Sequence, residues 1–162
     1  MSTARQLRRV TLRNTHIVRR QPMIEQEINA AIADLQQEHD FALCTPVGDA
    51  PYDLMLGLED HKLILDLSSA EGECHTTIKL ALQPLRPLIR EYFMICENYF
   101  AAVHSPNRMQ LEAIDAGRRG THNEAAQMLR DLLQDKVKLD HCTARRLFTL
   151  VAALHLGGWS HR

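Results

Sequence analysis

The chain has 162 residues, of which 45% are hydrophobic and 24% are charged, and its formal net charge is −1. This composition excludes a disordered protein, because disordered chains combine few apolar residues with a high net charge. No apolar run approaches the roughly 18 residues that cross a bilayer, and the N-terminus lacks the apolar stretch of a secretory signal. We therefore expect one cytoplasmic domain over residues 1–162, with no membrane partner.

Charge is distributed unevenly along the N-terminal third. Residues 1–20 contain six arginines and no acid, whereas residues 21–61 contain nine acids and neither lysine nor arginine. Val10 and Leu12 alternate with polar residues, which favours an edge strand. An acid-free, arginine-rich start is also typical of a basic arm that binds nucleic acid and of an organelle transit peptide. The residues leave these three interpretations of 1–20 open.

The first half of the chain changes its hydrophobic period once. Apolar residues recur every three or four positions over 22–38, which predicts an amphipathic helix. The period then becomes two, and three alternating runs separated by short turns predict an antiparallel meander over 52–82. The strand at Val10 and a short run at 41–44 are candidates to extend this sheet, giving three to four strands.

The second half, over 84–156, is predicted to be helical. A helix over 85–103 carries apolar residues around most of its circumference, so we expect it to be the longest helix and the central one. A shorter helix follows over 107–117, another begins at Thr121, and Asp140 can cap the last one. With the N-terminal helix, about five helices cover the meander in an α+β fold.

Residues 115–124, with the sequence DAGRRGTHNE, are predicted to be the joint between two of these helices. Gly117 and Gly120 suit the open backbone of a helix end, and Thr121 followed by Glu124 is typical of a capping box. The amide groups at the start of the second helix would then face outward without partners.

Arginine pairs at this joint and one helix later suggest an anion site. Guanidinium groups beside unpaired helix amides can bind phosphate or carboxylate, and four of them in one cleft would attract a polyanion. The structural alternative is that the arginines pair with nearby acids while the joint merely caps a helix. The candidate binding residues are Arg118, Arg119, Thr121, His122, Arg145 and Arg146.

The cysteines and histidines do not form a recognisable metal site. The four cysteines lie far apart, and none of the nine histidines has the spacing of a known zinc motif. Catalytic signatures such as a nucleophile elbow or a phosphate-binding loop are also missing. We therefore expect reduced thiols and assign no metal, no cofactor and no catalytic residue.

Three long segments carry a resemblance to a known family. They are REYFMICENYFAAV at 90–103, QLEAIDAGRRGTHNEAAQMLRDLL at 110–133 and DHCTARRLFTLVAALH at 140–155. The chain resembles the bacterial uncharacterised protein family zero-two-six-two, from the strand at Val10 to His155. The resemblance implies a cytoplasmic bacterial protein with no assigned activity, cofactor or catalytic residue, and it disfavours the transit peptide.

Three functional hypotheses follow. The preferred one is a small, non-catalytic interaction or regulatory module that binds a protein or an anionic ligand at the predicted joint, with nucleic acid as a further alternative. The second is a small enzyme in which His122 or Glu124 handles protons while Arg118 and Arg119 hold an anionic substrate. It predicts a deep pocket lined by these residues. The third is a scaffold with an exposed apolar patch or a symmetric dimer contact.

Overall fold

The computed structural model describes residues 6–13, 22–45, 48, 50–69, 72, 75–102 and 107–159. Its elements in chain order are β1 (Leu7–Leu12), α1 (Pro22–Gln37), β2 (Phe41–Leu43), β3 (Tyr52–Glu59), β4 (Lys62–Ser69), β5 (His75–Ala81), a 3-10 turn (Gln83–Leu85), α2 (Arg86–Ala102), α3 (Arg108–Leu133), β6 (Val137–Leu139) and α4 (His141–Trp159). The predicted α+β class is confirmed. The predicted N-terminal arm falls mostly outside the described residues, apart from β1.

The main sheet has the strand order β1-β3-β4-β5. The predicted antiparallel meander is confirmed as β3, β4 and β5. Strand β1 extends it, as expected, but pairs parallel to β3, with Val10 opposite Leu54. The expectation that residues 41–44 might extend the same sheet is wrong. Strand β2 pairs antiparallel with β6, with Phe41 opposite Leu139, as a separate two-stranded sheet.

The described part of the chain contains four helices, so the prediction of about five is wrong. The two helices expected on either side of Gly117 and Gly120 are one helix, α3, which has 26 residues. It is also longer than α2, which has 17 residues and was expected to be the longest. Helix α3 is capped at Asn107, whose side-chain oxygen accepts a hydrogen bond from the backbone N–H of Gln110.

Buried side chains recur through the predicted joint and explain why the helix continues. Leu111, Ile114, Arg118 and Thr121 are at least partly buried and follow each other at intervals of three or four residues. These intervals keep one face of the helix against the protein interior. Neither glycine adopts a positive φ. The glycines therefore occupy exposed helical positions instead of a corner.

The core lies between the main sheet and the helices, with α4 as its most buried helix. Residues Ala144, Phe148, Leu150, Val151 and Ala152 of α4 are fully buried. Helix α4 packs against α1, α2, α3 and β3. The expectation that 85–103 forms the central helix is therefore wrong, and the solvent-facing side of α2 leaves Met94 60% exposed. None of the described helices combines the length and apolarity needed to cross a bilayer.

The cap predicted for α4 is confirmed. Asp140 precedes the helix, and its Oδ1 atom accepts a hydrogen bond from the backbone N–H of Thr143 at 2.9 Å. The hydroxyl of Thr143 in turn accepts from the N–H of Asp40, which directly precedes β2. These bonds fix the start of α4 against the segment that leads into β2.

Candidate functional site

The arginines of the predicted joint are paired with carboxylates. The guanidinium of Arg118 lies 2.8 Å from Glu27 Oε1 and 2.8 Å from Asp115 Oδ1, and it stacks 5.0 Å from the centre of the Tyr99 ring. Arg119 Nε is 3.4 Å from the other oxygen of Asp115. These contacts match the structural alternative for both residues.

The predicted helix start at Thr121 is wrong. Thr121 lies in the middle of α3 and is 3% exposed, so no unpaired helix amides are available beside it. An anion site built on the start of a helix at this position therefore loses its physical basis. Whether the two arginine pairs share one cleft was left open by the sequence, and in the structure only Arg145 and Arg146 line a common cavity.

Arg118 belongs to a network that joins three helices. Glu27 of α1 accepts a hydrogen bond from Tyr92 of α2 through Oε2, while its Oε1 faces Arg118 of α3. Burial raises the pKa of the Tyr92 hydroxyl, and the charge of Glu27 adds to this effect. Burial and Glu27 also raise the pKa of the nearby Cys96 thiol to about 11. The phenol and the thiol are therefore neutral at pH 7, and the network ties helices together.

A cavity between α3 and α4 brings together the other half of the predicted residues. It has a volume of about 230 Å³ and is lined by His122, Cys142, Arg145, Arg146 and Thr149. The last four residues are spaced three, one and three positions apart, which places them on one face of α4. Helix α3 contributes His122 because α3 packs against α4. We call this feature the α3–α4 cavity.

His122 is held as a neutral donor at the wall of this cavity. Its ring packs between Tyr92, at 4.9 Å, and Phe148, at 5.9 Å between ring centres. Burial, and then the positive charges of Arg145 and Arg118, lower the pKa of His122 to about 4. The hydroxyl of Thr149 donates its proton to the Arg145 carbonyl and lies 3.2 Å from His122 Nε2. Because that proton is already used, Nε2 carries the hydrogen of the neutral ring.

The two arginines of the cavity differ in how far their charge is compensated. Arg146 donates to the backbone carbonyl of Glu38 at 3.0 Å and lies 3.9 Å from a carboxylate oxygen of Asp34. For Arg145, by contrast, no carboxylate partner is found among the described residues. Among the described residues, the cavity lining contains no Asp or Glu either. Its electrostatic character is therefore positive, and Arg145 is its least compensated charge.

The site therefore keeps three of the six predicted residues. His122, Arg145 and Arg146 line one cavity, whereas Arg118, Arg119 and Thr121 do not line it. The enzyme hypothesis needed Arg118 and Arg119 in a deep pocket together with His122 or Glu124, and of these four residues only His122 lines this cavity. Sequence reasoning missed Cys142 and Thr149, although their helical spacing from the arginines was a usable signal.

In comparisons with known proteins, the chain matches one family model and bacterial proteins that carry the same family name. A family model described as an uncharacterised protein family, UPF0262, matches residues 4–157. A UPF0262 protein of Azorhizobium caulinodans is 46% identical, with 92% of this chain and 93% of that protein covered. A UPF0262 protein of Methylobacterium radiotolerans is 45% identical, with 94% of this chain and 94% of that protein covered. A UPF0262 protein of Rhodospirillum rubrum is 42% identical, with 92% of this chain and 91% of that protein covered. No solved structure matches the chain significantly.

Proposed function

The chain belongs to the uncharacterised protein family UPF0262, and because the names of its relatives state no activity, we propose a function from geometry alone. The protein binds a small anionic group, a phosphate or a carboxylate, in the α3–α4 cavity. It serves as a cytoplasmic interaction or regulatory module. The observation that carries this proposal is Arg145, a cation at a cavity with no acid in its described lining and with no carboxylate partner of its own in the same part of the chain.

The other groups of the cavity support an anion as its occupant. Arginine presents several N–H donors in a planar fork, which matches the oxygens of phosphate and carboxylate. The Thr149 hydroxyl and the Cys142 side chain line the cavity on the same helix face as the arginines. Since the lining residues that the structure describes include no acid, an entering anion meets no like charge from them.

The size of the cavity limits what can enter. Its volume of about 230 Å³ lies below the roughly 300–1,000 Å³ of pockets that hold drug-sized ligands. A phosphate or carboxylate group fits this description better than a whole nucleotide. A nucleic acid would need a longer row of cations, whereas Arg118 and Arg119 face Asp115. The proposal therefore concerns one anionic group, free or at the end of a larger partner.

Cytoplasmic location is part of the same proposal. Cys44, Cys96 and Cys142 are free thiols, and two of them are exposed. Free thiols of this kind persist in reducing compartments and are less common in oxidising ones. The relatives named above are bacterial, which is consistent with such a compartment.

The test is a titration of the full chain with inorganic phosphate, followed by two-dimensional NMR at constant ionic strength. Two charge-assisted hydrogen bonds of about 2 kcal/mol each correspond to a dissociation constant of about 1 mM. We expect the shifted amide signals to cluster around Arg145 and His122. The variant Arg145→Gln should weaken binding at least about tenfold, because it removes the uncompensated cation.

The matched control is Arg119→Gln, which removes a more exposed arginine outside the cavity. Phosphate affinity of this variant should stay within about twofold of the original protein, since a surface ion pair contributes little. The proposed site would be refuted if Arg145→Gln bound phosphate as tightly as the original protein does. It would also be refuted if Arg145→Gln and Arg119→Gln lost phosphate affinity equally.

A further inference from the structure

The two edges of the main sheet differ in whether side chains from other elements bond to their backbone groups. Along β1, side chains of the α1 region occupy the outward backbone groups. The N–H of Val10 donates to Gln36 Oε1 at 3.0 Å, and the N–H of Leu7 donates to His39 Nε2 at 3.0 Å. A covered edge of this kind cannot accept another strand. Strand β5 forms the opposite edge, and its only strand neighbour in the described part of the chain is β4.

The turn between β3 and β4 determines which backbone groups of β5 point outward. Asp60 and His61 both have positive φ, of 51° and 63°, as in a type I′ turn. In such a two-residue hairpin the flanking residues, Glu59 and Lys62, form a hydrogen-bonded pair. Since bonding alternates along a strand, the even-numbered residues of β4 bond to β3 and its odd-numbered residues bond to β5.

The β4–β5 register determines which residues of β5 bond to β4 and which have backbone groups that point away from the sheet. Leu63, Leu65 and Leu67 of β4 lie opposite even-numbered residues of β5, which therefore bond inward. The N–H of Leu82, which donates to the carbonyl of His61 at 3.4 Å, continues the same pattern. The residues whose N–H and C=O groups point outward are His75, Thr77, Lys79 and Ala81.

These outward groups have no partner in the described part of the chain. All four residues are exposed, and within the described ranges no hydrogen bond to their outward backbone groups is found. A row of unpaired backbone donors and acceptors is a template for a further strand.

We propose that β5 pairs antiparallel with β5 of a second copy of this chain, across a two-fold axis at Ile78, to give a continuous eight-stranded sheet. In this register His75 faces Ala81 of the second copy and Thr77 faces Lys79, so all four outward residues of each strand find partners. A symmetric pair of this kind uses the same surface on both copies.

Neighbouring registers are worse for charge and for pairing. Of the two neighbouring registers, centred on Lys79 and on Thr77, the first places the two ammonium groups directly opposite each other. Both also leave outward residues at one end unpaired. Like charges directly opposite each other destabilise a strand pair. The register centred on Ile78 is thus the one in which all outward backbone groups pair and no ammonium groups face each other.

The core-facing side of the strand favours the same arrangement. Thr76, Ile78 and Leu80 alternate with the outward residues, and the last two are 7% and 8% exposed. Pairing at Ile78 brings two of these side chains together in a non-hydrogen-bonded pair, where strands approach most closely. Edge pairing alone buries less area than a permanent interface, so the association should be weak and concentration-dependent.

The test is sedimentation velocity of the full chain over a wide concentration range, with Thr77→Pro as the variant. Proline removes an N–H that points outward, so the β4–β5 bonds are retained. We expect a monomer–dimer equilibrium that Thr77→Pro weakens at least about tenfold. The control Thr77→Val keeps the N–H and the strand preference, and it should associate like the original protein. A chain that stays monomeric throughout, or a proline variant that dimerises equally well, overturns the proposal.

Amide hydrogen exchange of the unmodified protein gives a second measurement if the proline variant does not fold. The amides of Thr77 and Lys79 should exchange at least about tenfold more slowly in concentrated than in dilute samples, while exposed amides of α3 remain unchanged. Exchange at these two positions that does not depend on concentration would overturn the register. Protection at β1 would instead place the contact on the other edge.

Discussion

His39 shows how one buried polar residue can connect two elements. It is 3% exposed, its Nδ1 lies 2.6 Å from the Leu35 carbonyl, and its Nε2 accepts from the N–H of Leu7. The ring must be neutral to make both bonds, with Nδ1 as the donor. It thereby links the last turn of α1 to the start of β1 and closes that edge of the sheet.

The variant His39→Leu should lower the free energy of unfolding by about 2 kcal/mol. Leucine fills the apolar space but leaves the buried N–H of Leu7 without an acceptor, and an unpaired buried donor costs about 1–3 kcal/mol. Urea unfolding followed by circular dichroism measures the change. The exposed neighbour Gln37 supplies the control, since Gln37→Leu should shift stability by at most about 0.5 kcal/mol. Similar small effects in both variants would contradict a bridging role for His39.

At the scale of elements, α3 shows what local signals can and cannot establish. Glycines flanking two arginines, followed by threonine and glutamate, matched the chemistry of a helix end and a helix start. The spacing of Ile114, Arg118, Thr121 and Ala125 matched one continuous face instead. The burial of that face against α2 and α4 outweighs the helix penalty of two glycines, which is about 1 kcal/mol each.

The variants Gly117→Ala and Gly120→Ala should each raise the free energy of unfolding by about 0.5–1 kcal/mol. Both glycines are exposed, neither has a positive φ, and a methyl group at either position meets no atom within 4 Å. Alanine therefore gains helix propensity without a clash. The midpoint of urea unfolding is the measurement.

Gly57 provides the contrasting position within a strand. A methyl group there would lie 3.3 Å from Cβ of Arg13, so Gly57→Ala should gain no stability and is expected to lose some. Destabilisation by alanine at 117 or 120 would mean that the glycines serve a bend or a motion which this helix geometry does not require.

Some strand pairings likewise depend on local sequence signals, and others depend on the packing of distant segments. The β3–β4–β5 meander was predictable because alternation and short turns are both local signals. The pairing of β2 with β6 joins residues almost 100 positions apart, as in Phe41 with Leu139, and β6 is placed by its packing against α3. The parallel addition of β1 next to β3 likewise depends on α1, which spans the connection.

At the scale of the whole molecule, the candidate site is a product of helix packing. Arg145 and Arg146 are identifiable from the sequence as a pair, and the apolar residues beside them indicate that at least one of the two faces outward or lies at a rim. Their meeting with His122 required α3 and α4 to lie side by side, which no local pattern specifies. The same packing buries His122 beside Phe148 and Tyr92, and so couples the site to the stability of the fold.

This coupling predicts a loss of stability in mild acid. In the unfolded chain His122 takes up a proton near its ordinary pKa of about 6.5, whereas in the folded protein its pKa is about 4. Between these values the unfolded state binds more protons, so the contribution is complete above pH 6.5 and declines as the pH falls to about 4. The decline amounts to at most about 3 kcal/mol. Urea unfolding at several pH values measures it.

The variant His122→Gln separates this contribution from that of the carboxylates. Glutamine keeps an N–H donor for Thr149 but does not ionise, so the slope of stability against pH should be shallower than in the original protein. Sulfate, which stays dianionic throughout, should stabilise the original protein more at pH 5 than at pH 7, because an anion beside Arg145 favours the protonated ring. If sulfate stabilised the original protein equally at pH 5 and pH 7, His122 and the bound anion would not interact. The same conclusion would follow if the difference between the two pH values persisted in His122→Gln.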